Sequence, residues 1–169
     1  MKLASLLIGL LTLIGAVACN EAASNSNNQS TTVAPTPTIT ARTITPAELQ
    51  KLKWIEGTWR GTGVTQPPFF ERYRFENDAT LVMEELADES LNRVNSTTRY
   101  ELKDGRFGTD SAVATAFDDT SVTFSPLIAG RNSFRWQSES KDSWTAILTL
   151  PATAKAPAKE TIYKLERVK

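Results

Sequence analysis

The chain has 169 residues, with 19 basic and 19 acidic side chains, no histidine and one cysteine. A near-neutral balance leaves no electrostatic footprint for nucleic acid, and with no polybasic patch, attachment to a membrane falls to a lipid. The lack of histidine excludes Ser-His-Asp and Cys-His catalysis, histidine metal ligands and a histidine-ligated haem; the lone cysteine excludes internal disulfides and thiolate metal sites.

Lys2 opens the chain, an apolar stretch covers 6–17, and small residues precede the cysteine in Ala16-Val17-Ala18-Cys19. This is the layout of a secretory signal. A cysteine directly after the cut resembles a bacterial lipobox, in which the thiol receives diacylglycerol and the new amino terminus is acylated. Ala16-Val17-Ala18 also satisfies the Ala-x-Ala rule for ordinary signal cleavage, and both routes cut the same bond. The run falls short of the ~20 apolar residues that span a bilayer. Cys19 is therefore expected as a lipidated N-terminus, which also removes a free thiol that has no partner. Asn20 follows it rather than the aspartate of inner-membrane retention, so the expected address is the outer membrane where the host has one. Cleavage takes 18 of the 169 residues and leaves 151, enough for one domain.

Residues 19–42 are expected to form a tether. Asn, Ser, Thr and Gln dominate its first half and Ala34-Pro35-Thr36-Pro37-Thr38 follows; such a segment buries too little apolar surface to offset its ordering entropy. The folded domain is expected over 43–169. Thr45-Pro46-Ala47-Glu48 is a capping box, and Leu49, Leu52 and Ile55 recur on one side of a short helix predicted over 46–56, ended by Gly57.

Beyond Gly57 the apolar period changes to two. Strands are predicted at 58–63, 69–75, 80–86, 93–103, 106–117, 121–125, 133–138, 143–150 and 160–168. Asp104-Gly105 suits a type I′ hairpin turn. The longest connection is the Ala/Lys/Pro-rich stretch from Pro151 to Lys159. Eight or nine short strands with little helix predict an all-β protein, a single up-and-down antiparallel barrel, closure of which removes exposed sheet edges. Two registers are open to the strand 69–75. One places Glu71 and Tyr73 inside; the other buries Arg72 and Arg74. Two guanidinium groups are costlier to bury than one carboxylate, which favours the first.

Gly57-Thr58-Trp59, opening the first strand after a short helix, resembles the Gly-x-Trp signature of lipocalin-like barrels. Arg167, near the end of the last strand, matches the arginine that packs on this tryptophan in that group. The segment from Leu52 to Gly61 is also similar to the opening of nitrobindin-type barrels. The resemblance covers residues 46–168 and implies a barrel closed at one end by Gly57, Trp59 and Arg167. The histidine that holds haem in nitrobindin-type proteins is absent, so no cofactor is implied.

The barrel interior is the remaining place for function. Glu71, Tyr73, Met83, Ser96, Thr98, Tyr100, Trp136 and Trp144 are expected to face inward, and aromatic walls with a few polar groups suit a ligand pocket. The expected binding set is Glu71, Tyr73, Tyr100, Trp136 and Trp144. The same residues can instead pack solid. Three classes stay open: a binding module for a small apolar or amphipathic molecule; a protein-interaction or inhibitor module using the barrel exterior; and a histidine-free isomerase or cyclase using Glu71 and Tyr73. No metal site is expected, since the spacing of Asp88, Glu89 and Asp104 fits no calcium loop. Glu84-Glu85 is not a dyad within one strand, because neighbours point to opposite faces. A monomer held to the bilayer through Cys19 is the expected assembly.

Overall fold

A computed structural model describes residues 40–169. The expected signal segment, Cys19 and the tether up to residue 39 lie outside the described residues. Ten strands form one closed antiparallel barrel: β1 (Gly57–Thr62), β2 (Phe69–Asn77), β3 (Thr80–Leu86), β4 (Val94–Lys103), β5 (Arg106–Gly108), β6 (Ala112–Phe117), β7 (Ser121–Pro126), β8 (Ser133–Ser140), β9 (Ser143–Leu150) and β10 (Lys159–Arg167). Each strand pairs with its chain neighbours, and β1 closes the ring against β10.

The count is ten rather than eight or nine because the predicted strand 106–117 breaks in two. Thr109 causes the break. Its N–H donates to Ala112 O at 2.8 Å, and its hydroxyl accepts the Ser111 and Ala112 N–H groups, each at 3.2 Å. The Thr-Asp-Ser turn thus folds β6 back on β5, with Gly108 opposite Val113. At the next turn along the ring Asp104 and Gly105 both take positive φ, 52° and 75°, as a type I′ turn requires.

The helix also differs from expectation. Within the predicted helix only Pro46–Leu49 (α1) is α-helical, and Gln50–Ile55 winds as a 3-10 turn. The capping box is complete: Thr45 Oγ1 accepts the Glu48 N–H at 3.2 Å and Glu48 Oε2 accepts the Thr45 N–H at 2.9 Å. Leu49, Leu52 and Ile55 explain the tighter winding. They are spaced by three, a 3-10 helix stacks i and i+3, and all three are fully buried as one row under the barrel.

That row closes one end, the base. Trp59 is fully buried beside it, donating from Nε1 to Ile55 O at 2.7 Å. Arg167 is the register partner of Trp59, with its guanidinium carbon 4.1 Å from the centre of the indole. The same guanidinium donates to Glu56 O at 2.7 Å and Trp54 O at 3.4 Å, capping the carbonyls that the helical turn leaves open. Gly57 admits this arrangement. Its φ is +129°, and a Cβ there would lie 2.2 Å from Arg167 Nη1.

The barrel wall is thinnest at β5. It meets β4 through three register pairs and β6 through one, so the first half of β4 is paired only to β3. On the base side the N-terminal strap covers this seam: Arg42 N donates to Ala114 O at 3.1 Å and Ile44 N to Gly105 O at 2.8 Å. Arg42 also donates to Phe117 O and pairs with Glu48. Arg42, expected as the last tether residue, is thus bonded to the barrel.

Candidate functional site

The end opposite the base opens into a cavity of about 610 Å³. Its walls follow from strand alternation. Glu71 and Tyr73 come from the inward side of β2, Tyr100 from β4, Trp136 from β8 and Trp144 from β9. The five residues expected to form the site therefore line one cavity. Trp136 stands at its centre, 5.0 Å from Tyr100, 5.6 Å from Tyr73 and 6.0 Å from Trp144 between ring centroids. Tyr73 and Trp144 meet edge-on at 5.6 Å. These rings carry the cavity wall down to the base, where Trp144 contacts Trp59 at 6.2 Å. The indole N–H of Trp144 is buried with no acceptor among the described residues.

Glu71 supplies charge. Burial holds its carboxyl above the ordinary carboxylate range, and the neighbouring Glu85 charge pushes the same way, while a hydrogen bond from the Tyr73 hydroxyl, at 2.8 Å, opposes both. Tyr73 and Tyr100 are pushed up from the ordinary phenol value by burial first and by the Glu71 charge second. Both phenols therefore stay protonated across the physiological range, and Tyr73 donates to Glu71.

Glu85 is the residue that the sequence reading missed. It shares the inward side of β3 with Leu81 and Met83 and lies directly across from Glu71 in the β2–β3 register. Its Oε2 accepts from the Ser96 hydroxyl at 3.0 Å. The signal was the parity of Met83; the obstacle was the register shift between Phe75 and Asn77, which defeats counting across the hairpin. Phe69, Phe134 and Tyr163 complete the mouth, with Phe69 edge-on to Tyr163 at 5.9 Å. Glu84 points outward to Arg72 and Arg74, so those two arginines lie on the barrel exterior.

Thr98 corrects the expected inward set. Ser96 keeps the side of its register partner Glu85 and is exposed at the rim. Thr98 lines a second groove of about 820 Å³ with Thr109 and Leu127 instead of the cavity. At that height β4 has no neighbour on the β5 side, so the seam rather than the interior takes its side chain. Asp88 and Glu89 follow β3 at the mouth while Asp104 lies in the turn at the base, so they are not brought together. Asp118 is exposed in its turn and accepts from the backbone and hydroxyls of Thr120 and Ser121 at 2.7–3.0 Å, which lowers its pKa to about 2.

No protein-family profile and no curated protein matches the chain. Solved structures similar to it include a redesigned β barrel, b11L5F_LGL, at 12% identity and TM-score 0.36, covering 69% of this chain and 93% of that one. EF1p2_mFAP2b bound to DFHBI has 13% identity and TM-score 0.38, covering 72% and 99%. Rv2717c from M. tuberculosis has 14% identity and TM-score 0.41, covering 75% and 99%. At these scores the barrel assignment rests on the chain's own continuous strand ladder.

Proposed function

We propose that this chain is a lipocalin-like envelope lipoprotein, anchored through Cys19, whose barrel takes up one small apolar or amphipathic molecule. The observation that carries the reading is the cavity itself, about 610 Å³ with walls of Tyr73, Tyr100, Trp136 and Trp144. That volume lies inside the ~300–1,000 Å³ span of small-molecule sites, and an apolar lining with a few polar groups is their usual make-up. The contrast with the base supports it: the base is filled by fully buried side chains, while the mouth is left hollow. A polar tether after the anchor suits a domain that samples the envelope with its mouth free.

Titration of the purified chain with a hydrophobic dye tests the cavity. Uptake with a matching shift in tryptophan emission, abolished by filling the cavity with Ala146→Trp, supports the reading; no uptake by any apolar probe rejects it. Cys19→Ser tests the anchor separately, since a lipoprotein so altered leaves the membrane fraction or stalls in processing.

A further inference from the structure

Among the described residues six carboxylates have a cation beside them and twelve do not. Glu48 pairs with Arg42, Glu76 with Arg99, Glu101 with Lys103, and Glu84 with both Arg72 and Arg74. Among those twelve, Glu71 and Glu85 are set apart by position, since both line the cavity. They face each other across two strands, and among the described residues neither has an ion-pair partner. No lysine or arginine lines the cavity they border. Each carboxylate has one oxygen held by a hydroxyl, Tyr73 for Glu71 and Ser96 for Glu85, and no protein donor on the other. Like charges directly opposite on neighbouring strands are destabilising; Glu85 is exposed at the mouth, while Glu71 is half-buried, where a carboxylate without a cation is costly. Around them stand aromatic faces: Trp136, Tyr73, Tyr100 and, nearer the mouth, Phe134 and Tyr163. Aromatic walls with negative ring faces are the recurring means of holding organic cations.

We infer that the molecule taken up carries a positively charged nitrogen on an apolar body, an organic ammonium whose charge sits between Glu71 and Glu85 and whose body lies against the aromatic walls. The inference rests on the cavity being a ligand site. It excludes free fatty acids as the preferred class, because a third carboxylate would join two that already lack a counter-ion. Burial and the Glu85 charge favour the protonated form of Glu71 in the empty cavity. A bound ammonium favours the ionised form, so binding tightens as pH rises through the Glu71 ionisation. The other titratable groups facing it are Tyr73 on its own strand, Glu85 on β3, Tyr100 on β4 and Tyr163 on β10.

Three twelve-carbon probes test this on the full chain, below their micelle concentrations, read by the emission of Trp136 and Trp144. Dodecyltrimethylammonium should bind at least tenfold tighter than dodecanol, and dodecanoate more weakly than dodecanol. Glu71→Gln and Glu85→Gln should each erase most of the preference for the ammonium over dodecanol, with circular dichroism and thermal unfolding reporting that the variants are folded. Raising the pH should tighten the ammonium probe and not the alcohol. Equal affinity for all three, or preference for dodecanoate, overturns the cation inference and leaves the cavity standing. Binding by none of them rejects the cavity as a ligand site, and the cation inference falls with it.

Discussion

At the base, Trp59 lies fully buried under a guanidinium bonded to the carbonyls of Trp54, Glu56 and Lys141. At the mouth, Glu71 faces Glu85 with no cation between them. The rims differ in the same sense. The turns at the base carry Asp78, Asp104, Asp118, Asp119 and Asp142; the loops at the mouth carry Asp88, Glu89 and Asp110, and of the six exposed large apolar residues all but Ile162 sit in loops or strand ends there. The guanidinium at the base is met by carbonyls within the chain, while the two carboxylates at the mouth meet no cation among the described residues. The same barrel thus concentrates its fully buried packing at one end and its facing, unpaired carboxylates at the other.

The comparison breaks first at Trp59. Trp59→Ala should destabilise the barrel by about 3–5 kcal/mol, as for other buried large aromatics, read by denaturant unfolding. A loss below about 1 kcal/mol would mean that the base is not where cohesion lies. Gly57→Ala comes next. Its φ of +129° and the 2.2 Å approach of Arg167 Nη1 to the added Cβ should cost about 2–3 kcal/mol, with Arg167 displaced from Trp59. Asp118 is the base's polar counterpart. Its lowered pKa, about 2, means that its stabilisation is present above the ordinary carboxylate value and is lost as pH falls from about 4 towards about 2. Asp118→Ala should cost about 1 kcal/mol near neutrality and flatten the acid limb of a stability–pH curve.

The smallest effect, with the opposite sign, is at the mouth. Glu71 has a raised pKa, so the folded state holds its proton more tightly than the unfolded chain does. Its contribution is greatest below the ordinary carboxylate pKa and declines as pH rises through the raised value. Glu71→Gln should therefore leave stability at pH 8 unchanged or slightly higher and remove that decline. A marked loss of stability in this variant would place Glu71 with the cohesive end instead.

Alternation and turn chemistry carried much of this architecture into view. Tyr73, Tyr100, Trp136 and Trp144 share parity with apolar neighbours on their strands, so their faces were legible from period two alone. The Asp104-Gly105 turn was legible because few residue pairs accept two positive φ values. The Thr109–Ser111 break was hidden, since Ala112 to Phe117 continues the apolar pattern and the turn is set by one threonine hydroxyl. Glu85 was hidden for a different reason: a facing pair is a property of register, and a bulge at the hairpin changes register without changing composition. Thr98 failed because inward parity implies an interior only where the wall on both sides exists.

The strap over the β5 seam has a mechanical meaning. Tension entering from the N-terminal side reaches Arg42 before any strand of the barrel. It is borne by the Arg42–Ala114 and Ile44–Gly105 backbone bonds, which straddle the joint that a single register pair holds together. Load and weakest joint therefore coincide. A modest pull peels the strap and frees β5, while the capping box at Thr45 and Glu48 and the buried row from Leu49 to Ile55 form the next stop. Unfolding under force should accordingly begin with a short extension at the seam, well before the Trp59 end yields.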